Sequence, residues 1–98
     1  MATSLKNAQF LIDSRLADAA RGDRAAAYEL GIVYSTGASG IGIDLIAAHK
    51  WFNLAALAGL EEAQHCRAEI AEDMTAREIA EAQRQARTVM GAGMRRAA

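Results

Sequence analysis

The chain has 98 residues, enough for one domain with a thin core, and much of its 52% hydrophobic content is alanine, which packs closely but covers little area. Eleven basic residues against twelve acidic ones leave a formal charge of -1, with no dense Lys/Arg footprint, so nucleic acid is disfavoured as a partner. The single cysteine excludes an internal disulfide, and no apolar run is long enough to cross a bilayer.

The N-terminal region lacks a charged start followed by an unbroken apolar core and a cleavage site, which points to a cytoplasmic protein with no membrane insertion. Apolar periodicity then predicts five helices in one domain, 1–98. The first covers about 4–21, with Leu5, Ala8, Ile12, Leu16 and Ala19 on one stripe, and Gly22 stops it in a left-handed conformation. Asp23 caps the second helix through free backbone N–H groups. That helix carries Ala26, Leu30, Val33 and Tyr34 on one side and ends near Thr36 and Gly37.

The segment 37–43 is too glycine-rich for a helix. A phosphate loop needs a preceding strand and a Gly-Lys-Ser/Thr ending, both missing here, so the segment reads as a turn pinned by Ile41 and Ile43. Asp44 caps the third helix, whose Leu45, Ala48, Trp51, Phe52 and Ala55 face inward before Gly59 ends it. The fourth helix, about 61–73, turns Ala63, Cys66 and Ile70 inward. Thr75-Ala76-Arg77-Glu78 fits a capping box for the fifth, with Met74 and Ile79 placed as a hydrophobic staple. Its inward stripe is Ile79, Ala82, Ala86 and Val89, and its acids Glu78 and Glu81 precede Arg84 and Arg87 in the order that favours the helix dipole. The tail 91–98 has no periodicity and is expected to be disordered.

Nothing on the chain has the spacing of reaction chemistry. Cys66 shares a stripe with Ala63 and Ile70 and reads as a buried packing residue. His65 points about 100° away from it around the helix, so the two do not readily chelate one metal, and His49 stands alone in the sequence. Glu61-Glu62 and Glu72-Asp73 are adjacent pairs that diverge on a helix and read as solvated acids. No enzyme activity, cofactor or metal is expected.

Gly22 and Gly59 lie 37 positions apart, and each follows an alanine by three residues (Ala19, Ala56) and precedes one by four (Ala26, Ala63). That period is typical of helix-pair repeats. Within it, Ala26, Leu30-Gly31, Tyr34, Gly37, Asp44, Ala48, Trp51, Ala55-Ala56, Gly59 and Ala63 keep the spacing of a Sel1-like repeat, a relative of the tetratricopeptide class, which residues 23–67 resemble. One departure is an extra residue between Gly37 and Gly40.

The resemblance implies an all-α fold: a short α-solenoid of about five antiparallel helices, with one full helix-turn-helix repeat and partial or capping helices on both sides. It also implies an adaptor or scaffold, most often in bacterial assemblies. A glycine inside a helix costs about 1 kcal/mol against alanine, so Gly31 requires close approach by the next helix. Ala48 and Ala55 are expected to supply the flat surface there, with Trp51 and Phe52 filling the wider gaps.

The first helix of such a pair lines the concave side, which makes Tyr28, Ile32 and Ser35 candidate partner contacts. The competing reading is that the first helix covers Tyr28 and Ile32. Lys50, Asn53 and Leu57 form a second face on the third helix, equally suited to packing against the fifth. The expected partner is another protein, with a homodimer, and hence a purely structural homo-oligomeric module, as the alternative.

Overall fold

The computed structural model describes residues 2–97, and their side chains over 7–38 and 40–92. The helices are α1 (Ala2–Ala20), α2 (Arg24–Thr36), α3 (Leu45–Leu57), α4 (Glu61–Ala71) and α5 (Ala76–Ala97), with a short 3₁₀ turn at Ala38–Gly40. No strand occurs among the described residues, so the fold is all-α.

Local chemistry accounts for the breaks between helices. After α1, Gly22 takes φ +99°, its N–H donates to the Ala19 carbonyl at 3.0 Å and the Asp23 N–H to the Asp18 carbonyl at 3.1 Å. Gly59 repeats this ending at φ +102°, with Gly59 N–H to the Ala56 carbonyl at 3.0 Å and Leu60 N–H to the Ala55 carbonyl at 3.1 Å. Both are Schellman turns, in which a left-handed residue lets two amides satisfy the last carbonyls of a helix. Asp23 and Asp44 then start α2 and α3, each carboxylate accepting an N–H at 3.1 Å, from Ala26 and Ala47 respectively.

The capping box at α5 is complete: the Glu78 N–H donates to Thr75 Oγ1 at 3.1 Å, and the Thr75 N–H donates to Glu78 Oε1 at 2.8 Å. Farther along, Arg84 pairs with Glu81 at 2.6 Å, one turn apart. α5 continues as helix to Ala97, whereas periodicity alone ends it near Met90 and leaves 91–98 as a tail. The side chains of Met94, Arg95 and Arg96 lie outside those described, as does that of Leu5 in α1.

α3 is the centre of the packing, in contact with α2, α4 and α5, while α1 covers the other flank of α2. α2 and α3 are closed at both ends: the Asp44 N–H donates to the Tyr34 carbonyl at 2.8 Å beside the loop, and the Arg24 guanidinium donates to the Ala58 carbonyl at 3.2 Å at the far end. Between them lie Ala26, Ala27, Leu30, Ala48, Trp51, Phe52 and Ala55, all buried, with Ala63 of α4 completing the cluster. Trp51 and Phe52 dominate it, since an aromatic side chain removes about 150–250 Å² from water, an upper-bound contribution of roughly 4–6 kcal/mol each.

Gly31 is a close-approach site, though its neighbour differs from expectation. A Cβ there would clash with Cδ1 and Cε1 of Phe52 and lie 2.8 Å from Cγ, so a ring fills the space rather than the backbones flanking Ala48 and Ala55. In the loop, Ile41 packs against the core while Ile43 stays exposed. Ile43 nonetheless lies across the turn, 3.2 Å from where a Cβ on Gly37 would sit. Only Ile41 pins the turn by burial.

His49 is buried at 3% exposure, and its Nδ1 has no hydrogen-bond partner. Burial, with the positive charge of Arg67 adding to it, pushes the imidazole below its ordinary range, so the ring is held neutral. A histidine depressed in the folded state takes up protons more readily when the chain unfolds, so stability falls as pH drops below the ordinary value of about 6.5 and continues to fall until the folded pKa is reached. Thermal melts between neutral pH and the onset of carboxylate titration should show this decline, and His49→Gln should flatten it. An unchanged wild-type midpoint across that interval contradicts a buried neutral ring.

Candidate functional site

A groove runs between α2 and α4 over the floor made by α3. Ile32 and Ser35 come from α2, Phe52 from α3, and Cys66, Glu69, Ile70 and Asp73 from α4 and the turn after it, enclosing about 320 Å³. The spacing explains the lining: Ile32 and Ser35 lie three residues apart on α2, and Cys66, Glu69 and Ile70 share one face of α4 that Asp73 continues into the following turn. Tyr28 closes one end. Its hydroxyl is 4.0 Å from Cys66 Sγ, and its ring packs tilted on Phe52 with centroids 5.8 Å apart.

The contact from Tyr28 to Cys66 and the shared lining by Ser35 and Asp73 set α2 and α4 side by side in the same direction. Cys66 first, then burial and the charge of Glu62, hold the Tyr28 phenol above its ordinary value, so the hydroxyl stays neutral. Ser35 spends its own proton on the Ile32 carbonyl at 3.1 Å and offers its oxygen lone pairs to the groove. The floor is apolar and the α4 rim is acidic.

The candidate residues divide accordingly. Tyr28, Ile32 and Ser35 are half-buried and gather at the groove, with their neighbours on α3 and α4 rather than under α1. Lys50, Asn53 and Leu57 do not join them. The Lys50 ammonium lies 4.8 Å over the Trp51 ring, and burial pushes its pKa down. Asn53 accepts from the Arg67 guanidinium of α4, which ties α3 to α4. Leu57 is 62% exposed at the end of α3. The second face is therefore occupied by intramolecular contacts at two of its three positions.

No protein-family model matches the chain, and no curated protein or solved structure matches it either. The groove itself therefore carries the functional reading. Among the described residues, no three His, Cys, Asp or Glu side chains come together as a metal site, and no helix is long and apolar enough to cross a membrane.

Sequence reasoning missed the α4 wall of the groove. Cys66 is half-buried at the groove rather than sealed in the core, and Glu69, Ile70 and Asp73 stand beside it. The signal was present in the acids and apolar residues that share one α4 stripe, but the pairing of that stripe with Ile32 and Ser35 depends on how α4 folds back over α3.

Proposed function

We propose that this chain is a small protein-interaction module, an adaptor or scaffold of Sel1-like, tetratricopeptide-related kind, that takes a segment of a partner polypeptide in the groove between α2 and α4. The observation that carries this reading is the pair of half-buried apolar residues Ile32 and Ile70, set over the buried Phe52 ring between two helices that run the same way. The resemblance of residues 23–67 to the repeat supports it, as do the matching turns at Gly22 and Gly59, 37 positions apart. A groove flanked by helices suits an amphipathic helix, which docks by anchors spaced three or four residues apart.

The test is to place a charge on the floor and read binding. Wild-type chain, Ile32→Glu and Leu57→Glu are used to capture partners from the native cell extract, with circular dichroism confirming that each variant is folded. The expected result is a protein retained by wild type and by Leu57→Glu and lost with Ile32→Glu. Retention by Ile32→Glu, or no recovered protein from a chain that is monomeric, overturns the proposal.

Self-association is the second reading, favoured by Phe10 and Leu11 on α1, which are 73% and 56% exposed although adjacent and large. Sedimentation equilibrium separates the two readings. A dimer whose formation depends on Phe10 supports the structural module, and a concentration-independent monomer removes it.

A further inference from the structure

We infer that the α2–α4 groove selects a cationic amphipathic segment, one that lays apolar side chains on Ile32 and Ile70 and sets Lys or Arg side chains against α4. This inference rests on the docking reading above and names the chemistry of its partner. Glu62, Glu69 and Asp73 are all exposed; Glu62 and Glu69 lie on the α4 stripe that carries Cys66 and Ile70, and Asp73 lies in the turn that follows it. Glu69 and Asp73 line the groove directly, and Glu62 is near enough to Tyr28 for its charge to act on the phenol.

The opposite wall is neutral. Tyr28, Ile32 and Ser35 carry no charge, and no Lys or Arg is among the described residues that line the groove. Glu69 and Asp73 take part in none of the ion pairs found among the described residues, which join Asp18 to Arg21, Glu29 to Arg15 and Glu81 to Arg84. The carboxylates beside the apolar floor are thus left for a cation from outside. A phosphate-bearing or acidic ligand would meet like charge there, which disfavours it.

Reach sets the length of the segment. Tyr28 to Ser35 spans about 10 Å at the rise of an α-helix, or two turns. A docked helix would therefore place anchors at i and i+4 on the floor and its basic residues one flank away.

The test uses two synthetic amphipathic helices with the same leucine anchors, one flanked by lysines and the other by glutamates, each titrated into the full chain by fluorescence anisotropy. The lysine probe should bind, more weakly as salt is raised, and the glutamate probe should not. The double variant Glu69→Lys with Asp73→Lys should weaken the lysine probe about tenfold, equivalent to 1.4 kcal/mol, because two exposed attractions become repulsions, and should improve the glutamate probe. Both substituted positions are exposed, so the fold should be retained, and circular dichroism checks it.

Equal binding of the two probes, or a lysine-probe affinity indifferent to the double variant, overturns the charge selection. If neither probe binds while partner capture still depends on Ile32, the charge selection fails and the docking function stands. If neither probe binds and capture is indifferent to Ile32, both fail.

Discussion

Phe52→Ala is expected to lower the unfolding free energy by about 3–5 kcal/mol, the usual cost of emptying a buried aromatic site. Phe52 is 1% exposed, lies over Gly31, stacks obliquely on Tyr28 and forms the groove floor, so its removal leaves a void bordered by three helices. Gly31 has no side chain to collapse into that space. A domain of this size commonly has a total stability of about 5–15 kcal/mol, so the variant should lose a large share of its margin. Urea unfolding should show the midpoint falling with the slope nearly unchanged. A loss below about 1 kcal/mol would mean that the ring is not part of the packed core.

Gly31→Leu should destabilise the fold by a different route. In an isolated helix the change is favourable by up to about 1 kcal/mol, since leucine is a far better helix former than glycine. Here the first added carbon already overlaps the Phe52 ring, and the rest of the side chain has to displace a residue that is itself buried. Overpacking of that kind costs typically about 1–3 kcal/mol and occasionally more. We expect a net loss of about 2 kcal/mol, at the upper part of that range once the propensity gain is subtracted.

The two substitutions share one contact and should not add. Shortening Phe52 to alanine opens the space that a leucine in place of Gly31 would need, so the double variant should be more stable than the sum of single losses implies, by a coupling of about 0.5–3 kcal/mol. Thermal melts of the four proteins measure it. An unchanged midpoint for Gly31→Leu alone refutes the close approach of α2 and α3.

What the sequence discloses well is whatever depends on a few neighbouring residues. Asp23, Asp44 and the Thr75/Glu78 box cap their helices because the groups they bond lie three residues away. Gly22 and Gly59 end helices for the same local reason. The inward stripes of α3 and α5 are also legible, down to Ala48, Ala55, Ala82 and Ala86, all at 1% exposure or less. Periodicity records which face of a helix is apolar, and these helices use that face.

Arrangements that depend on two distant segments were less accessible. Periodicity marks Gly31 as unusual but does not identify the Phe52 ring as its neighbour. Likewise, His49 looks like an isolated polar residue until α3 is seen packed against α2, α4 and α5, with the imidazole only 3% exposed. Tyr28, Ile32 and Ser35 fall together because they share one α2 face, whereas on α3 Lys50 is drawn over the Trp51 ring and Asn53 is tied to Arg67. The α4 side of the groove required knowledge of a register between parallel helices.

The order of packing along the chain bears on how it folds. α1 rests on α2, α2 on α3 and α3 on α4, so most of the stabilising surface forms between segments joined by short connections, while the α3–α5 contact skips one element and a smaller α1–α5 contact joins the first helix to the last. Closing short loops carries a small entropic cost, and topologies of this local kind reach the native state within microseconds to milliseconds. The absence of proline also removes the slow isomerisation that delays many refolding reactions. A chain released from denaturant should therefore regain its helical signal in a single rapid phase.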